Sequence, residues 1–228
     1  MKPLNRKSIA ETPNRPIRVL QFGEGNFLRA FVDWIIDVMN EKTSFNSAVE
    51  IIQPIDKGMA QLLNAQDGLY HVILNGLQNG KTVSEKRLIT SVVNAFNPYE
   101  DYHAFLMRAE NPELKFIVSN TTEAGIAFDE RDTGNATLPN SFPGKLTALL
   151  FQRFTCFKGD TTKGVTVIPC ELIEKNGEQL RNVILQYIQH WQLPASFKVW
   201  IEEHNTFCNT LVDRIVPGFP KDTIQDIQ

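Results

Sequence analysis

The chain has 228 residues, 42% of them apolar, which is enough to bury a sizeable core in one domain or one plus an appendage. A net charge of −3 and a pI near 5.8 exclude a general attraction to nucleic acid or to an anionic membrane surface. No apolar run reaches the ~18 residues of a membrane span, and MKPLNRKSIAETPNRP lacks the apolar centre of a signal peptide. Cysteines 156, 170 and 208 are odd in number and have no CxxC spacing, which suits a reducing compartment; a soluble cytoplasmic protein is expected.

In chain order, IRVLQF (Ile17 to Phe22) is a short apolar run stopped by Gly23 and predicts a buried strand. From Phe27 to Asn40 the apolar residues Leu28, Phe31, Val32, Ile35, Val38 and Met39 form one helical stripe, which puts Arg29, Asp33 and Asp37 on the opposite side. SAVEIIQP predicts a second strand. GLYHVILNG and KTVSEKRLI flank Asn79-Gly80 and predict a hairpin. A helix over Tyr99 to Glu110 and a strand LKFIVSN ending at Asn120 follow, then a loop in DERDTGNATLPNSF. GKLTALLFQRF predicts a helix and GVTVIPCE a strand; a last helix aligns Leu180, Val183, Ile184, Tyr187, Ile188 and Trp191. The alternation predicts an α/β fold, a doubly wound and mainly parallel sheet covered on both faces, with an inserted β-hairpin.

Four stretches carry candidate chemistry. Gly23 and Gly25 follow the first strand and precede a helix, as in the G-x-G-x-x-G/A turn that brings backbone amides to a pyrophosphate. The third position holds Leu28, and a plain strand-to-helix turn is the competing reading. Past the second strand, Gln53 and Asp56 are candidates for the adenosine ribose hydroxyls, or solvated loop residues. SNTTEAG (Ser119 to Gly125) lies on the ligand side of such a sheet, or caps a helix through Asn120 or Thr122. In HNTFCNTLVDRIVPG, Asn205, Asn209, Asp213 and Arg214 recur at near-helical spacing, either as amides for an oxyanion or as a capped helix with an ion pair. The four histidines (71, 103, 190 and 204) have no metal-ligand spacing, and no metal is expected.

Taken in order, QFGEGNFLRAFVDW, QDGLY, SNTTEAG, PCELI with a following NG, and FCNTLVDRIVPGFP resemble the mannitol dehydrogenase family of polyol-specific long-chain dehydrogenases. The resemblance runs from about residue 4 to the end. It implies a Rossmann-like fold, NAD as cofactor and hydride transfer. GEGNFLRAFVDW and SNTTEAGI favour the uronate branch, whose substrates are sugar acids (D-altronate and D-tagaturonate). The family turn reads G-x-G-x-F-x-R, which Gly23, Gly25, Phe27 and Arg29 satisfy, so Leu28 is a family variant. The pyrophosphate would then lie on Gln21, Phe22, Gly23, Glu24, Gly25, Asn26, Phe27, Leu28, Arg29 and Ala30. Asn120, Thr121, Thr122 and Glu123 would stand beside the cofactor, and Asn209 would contribute to an oxyanion hole.

Family members are about twice as long, with a helical second domain whose K-x4-N-x2-H motif supplies the general acid/base Lys. That motif does not occur in these 228 residues. The chain is therefore expected to be an N-terminal dinucleotide-binding domain, with a core over about 17–205 and a segment 206–228 leading toward a helical C-terminal domain. A non-catalytic nucleotide-binding regulatory module is the alternative from another class. A methyltransferase-like domain is a third reading, against which stands Gln21 at the position where an acid is usual.

Overall fold

The computed structural model describes residues 4–9, 13–121 and 125–218. The strands are β1 (Ile17–Phe22), β2 (Ala48–Ile52), β3 (Tyr70–Gln78), β4 (Lys81–Ile89), β5 (Val92–Phe96), β6 (Phe116–Ser119), β7 (Thr166–Pro169) and β8 (Thr206–Phe207). Six of them form one sheet in the order β5-β2-β1-β6-β7-β8, with every pairing parallel. β3 and β4 form a separate antiparallel hairpin. Its turn residues Asn79 and Gly80 have φ of 52° and 75°, the paired left-handed geometry that matches strand twist.

Alternation along β1 divides the core. Leu20 and Phe22 face a cluster completed by α4 (Tyr102–Met107), α5 (Phe142–Cys156), α6 (Asn176–His190) and α7 (Ala195–His204). Val19 faces the other cluster, built on Val49, Ile51 and Val118 with α1 (Asn26–Ala30), α2 (Val32–Lys42), α3 (Ala60–Ala65) and the hairpin. Helix starts are set locally: Asp101 accepts from the Ala104 amide at 2.8 Å, and Ser141 accepts from Gly144 at 2.9 Å ahead of Pro143 in the first turn.

Three expectations need correction. The helix after the glycines is interrupted at Phe31, and α2 buries Asp33, Ile36 and Asp37 rather than Phe31, Val32 and Ile35. The hairpin lies over that face and supplies partners for both carboxylates. β5 was not foreseen; Asn94 interrupts its apolar run and donates to Glu50 at 2.8 Å. Residues 205–214 form no helix. Thr206 N donates to Val165 O at 3.0 Å and Cys208 N to Val167 O at 2.9 Å, which adds β8 to the sheet beyond residue 205. The chain then runs without helix or strand to residue 218, passing back over the second cluster through Val212 and Arg214. Among the described residues no helix is long and apolar enough to cross a membrane, and no three His, Cys, Asp or Glu are grouped to hold a metal ion.

Candidate functional site

The strand order reverses direction at β1, whose neighbours are β2 on one side and β6 on the other. A crevice opens there at the carboxyl ends of the strands. Gly23 leaves β1 with φ +125°, and its amide donates to Ile52 O at 3.1 Å. Asn120 N donates to Phe22 O at 3.1 Å, so the two loops lie side by side. A Cβ built on Gly23 would sit 2.9 Å from the Asn120 carbonyl oxygen, so the fold itself requires this glycine.

Gly25 differs. Its φ of −64° and ψ of 161° suit any residue, and among the described residues a Cβ there would meet nothing within 4 Å. Packing among the described residues gives no reason for glycine at this position. The space in front of it is open to a group from outside, at the start of a helix that no side chain caps. Arg29 braces the turn: its Nε donates to Glu24 O at 2.9 Å, its guanidinium reaches Asn26 Oδ1, and it lies over the Tyr70 ring at 5.3 Å. Leu28 is buried and approaches Gly23, filling the space between helix and strand that a third glycine would leave smaller. Phe22 packs on Phe105 and Phe142 beneath the crevice; Phe27 and Ala30 pack against the second cluster.

Behind the turn runs a buried polar chain. Gln21 Nε2 donates to Gly23 O at 3.1 Å and to Asp33 Oδ2 at 3.4 Å. Tyr70, from the hairpin, donates to the same Asp33 oxygen at 2.7 Å and lies 3.3 Å from Arg29 O. Burial pushes the Asp33 carboxyl up to about 7, against the two hydrogen bonds that favour its charged form, and pushes the Tyr70 phenol well above its ordinary value. Neither residue was singled out from the sequence as part of a site; the contact joins the first turn of α2 to the start of the hairpin.

Across the crevice, Asn120 Nδ2 donates to Cys170 O at 2.6 Å. The backbone and hydroxyl of Thr121 both donate to Glu171 at 3.1 Å, and Ser119 Oγ donates to it at 3.0 Å. Glu171 is thus a further acid that sequence reasoning passed over, in the PCELI stretch. Thr122 and Glu123 lie outside the described residues. A cavity of about 490 Å³ lies between Pro54 and Ile55 after β2, Thr121 and Gly125 after β6, and Ser141 and Phe142 at the start of α5. Gln53 is turned inward, while Asp56 is exposed on the loop after β2.

The remaining two candidates sit at opposite ends of the strands, Asn209 at the carboxyl end and His204 at the amino end. Asn209 is exposed beyond β8; its Oδ1 accepts from Glu178 N at 3.0 Å and its Nδ2 donates to Glu178 Oε1 at 2.8 Å, so its amide serves the first turn of α6. His204 ends α7 against Gly164, which precedes β7. It is therefore at the amino ends of the strands, away from the glycine turn.

An open parallel sheet with a glycine turn at its switch point defines the dinucleotide-binding class of α/β domains. Residues 17–227 match the family described as the mannitol dehydrogenase Rossmann domain. The chain belongs to that family. It is 54% identical over 228 residues to an altronate oxidoreductase from Bacteroides thetaiotaomicron, covering all of this chain and 47% of that one. An altronate oxidoreductase from Bacillus subtilis is 49% identical over 227 residues, with the same coverages. Among solved structures, Pseudomonas fluorescens mannitol 2-dehydrogenase in ternary complex with NAD and D-mannitol superimposes with a TM-score of 0.82 at 21% identity, over 99% of this chain and 50% of that one. A substrate-free D-sorbitol dehydrogenase gives 0.75 at 23% identity, over 93% of this chain and 46% of that one. The chain spans about half the length of the curated relatives it matches.

Proposed function

We propose that this chain is the NAD-binding half of an oxidoreductase that interconverts D-altronate and D-tagaturonate. The observation that carries the reading is the contrast between the two glycines. Gly23 is required by the Asn120 carbonyl, whereas Gly25 faces open space at the switch point. Support for the substrate class comes from the altronate oxidoreductases to which the chain is similar, and for the cofactor from the NAD held by the Pseudomonas structure.

The residues present fit a dinucleotide. The backbone from Gln21 to Ala30 receives the pyrophosphate, and Asn120 and Thr121 stand beside the cofactor. Asp56 stands at the ribose end. Bound NAD supplies the hydride acceptor. The chain's own part is to position: Gln21 fixes the Gly23 carbonyl, Arg29 fixes that of Glu24, and Glu171 fixes Thr121. The proton donor for the substrate oxygen belongs to the half of the enzyme outside these residues.

Calorimetry with NADH tests the reading. Gly25→Val introduces a side chain that the free protein accommodates, so its melting temperature should stay near wild type while NADH affinity falls about tenfold or more. Gly23→Ala should instead lower the melting temperature, because a strained φ costs about 1–3 kcal/mol before the clash is added. Equal NADH affinity in wild type and Gly25→Val would sink the cradle. Binding of S-adenosylmethionine in place of NADH would favour the methyltransferase-like reading, in which a glycine turn after the first strand serves a different cofactor.

A further inference from the structure

We infer that Glu24, the residue between the two glycines, is the group that selects against a cofactor carrying a 2′-phosphate on its adenosine ribose. This rests on the cofactor reading above and concerns the ribose end of the same site.

In open α/β nucleotide sites, an acidic side chain at the end of the second strand takes the ribose hydroxyls. Here the residue following β2 is Gln53, 2% exposed, and its amide is fully engaged. Its Oε1 accepts from Ala60 N at 3.1 Å, while its Nε2 donates to Ile55 O at 2.8 Å and Asp56 O at 2.9 Å. It organises the loop and has nothing left for a ribose.

The carboxylate arrives from the glycine turn instead. Glu24 is 8% exposed and reaches across to residues 58 and 59, where its carboxylate accepts from the Met59 backbone amide. A Cβ built on Gly58 would fall onto both the Glu24 carboxylate and the Gln53 amide, so glycine at 58 lets the two side chains lie together beside the end of β2. Burial raises the Glu24 carboxyl; its own amide, the Met59 amide and Arg29 act the other way and favour the anion. The other charged groups facing this point are Asp56 and Lys57, both exposed on the loop. Two ribose hydroxyls can donate to such a carboxylate. A phosphate on one of them would bring a second anion against the Glu24 carboxylate, which is 8% exposed and held beside Gly58 and the Met59 amide.

The test is calorimetry of NADH and NADPH on the full chain, wild type against Glu24→Gln and Asp56→Asn. The amide oxygen of Gln still accepts from Met59, so the loop stays anchored while the charge is removed. The wild type should favour NADH, and Glu24→Gln should narrow the preference by about tenfold or more, mainly through tighter NADPH binding. Asp56→Asn should narrow it less. If Glu24→Gln does not fold, Glu24→Ser carries the same comparison. A preference that Glu24→Gln leaves unchanged, or equal loss of both coenzymes, overturns the assignment. So does a wild type that binds both equally. A wild type that binds neither overturns the cofactor reading itself.

Discussion

At the scale of single residues, the pair Gly23 and Gly25 shows what a sequence conceals. Both read as turn glycines, yet one is fixed by a carbonyl nearly a hundred residues along the chain and the other by nothing among the described residues. The glycine turn itself was legible because its residues are contiguous. Asp33 was not, since its partners Gln21 and Tyr70 come from other elements. Its carboxyl titrates in the folded state at about 7, above the ordinary 3.8. Between roughly pH 4 and 7 the folded chain therefore holds a proton that the unfolded chain has lost. Stability falls as pH rises through that window, and the cost is fully present above it. Asp33→Asn keeps an acceptor for Tyr70 and cannot ionise. Urea unfolding at a series of pH values should show a flatter slope between pH 4 and 7 for this variant. Parallel slopes for the two proteins would mean that Asp33 stays charged throughout.

At the scale of elements, β1, β2, β6 and β7 were found as largely apolar runs with clear stops, and the hairpin by its Asn79-Gly80 turn. Periodicity failed on the burial of α2 for a definite reason. A stripe of apolar residues marks one possible inner face, but an acid can be buried too if a distant segment brings donors to it. Asp37 receives Arg87 Nε at 2.7 Å and both the amide and hydroxyl of Thr90 at 2.9 Å, all from the hairpin and the residue after it. Arg87 also reaches Glu41, tying the hairpin to the last turns of α2. Removing the guanidinium leaves a buried carboxylate with only the Thr90 donors. Arg87→Ala should therefore cost about 2–3 kcal/mol, less than the loss of a sole partner. Hydrogen exchange should show the hairpin amides opening first, while those of β1 and β6 stay protected. Uniform loss of protection across both sheets would argue that the hairpin is not a separate unit.

At the scale of the whole molecule, the α/β architecture was legible from the alternation of strands and helices. The terminal segment was not, because near-helical spacing in residues 205–214 coexists with β8, whose pairing with β7 begins forty residues earlier in the chain. Beyond it, Leu211 and Ile215 are 97% and 91% exposed, while Arg214 lies over the Trp34 ring at 4.8 Å. No K-x4-N-x2-H motif occurs in these 228 residues. A positioned general acid contributes about 10²–10⁴-fold, and fixing substrate against cofactor contributes at least as much. These 228 residues should therefore bind NADH yet give no measurable oxidation of it by D-tagaturonate in a spectrophotometric assay. Steady turnover would place a proton donor within this chain and would undo that division of labour.

The strand order also bears on how the molecule is made. β1 is flanked on both sides in the finished sheet, yet it precedes each of its partners in the chain and so leaves the ribosome before them. β2 follows soon, but β6 emerges only after the whole hairpin and α4. Until then one edge of β1 has no partner, and Gly23 has no Asn120 carbonyl beside it. Pairings between segments far apart in sequence are slow to form, and a bare strand edge is the place where a nascent chain meets the wrong neighbour. The glycine turn is therefore synthesised well before the segment that gives it its shape.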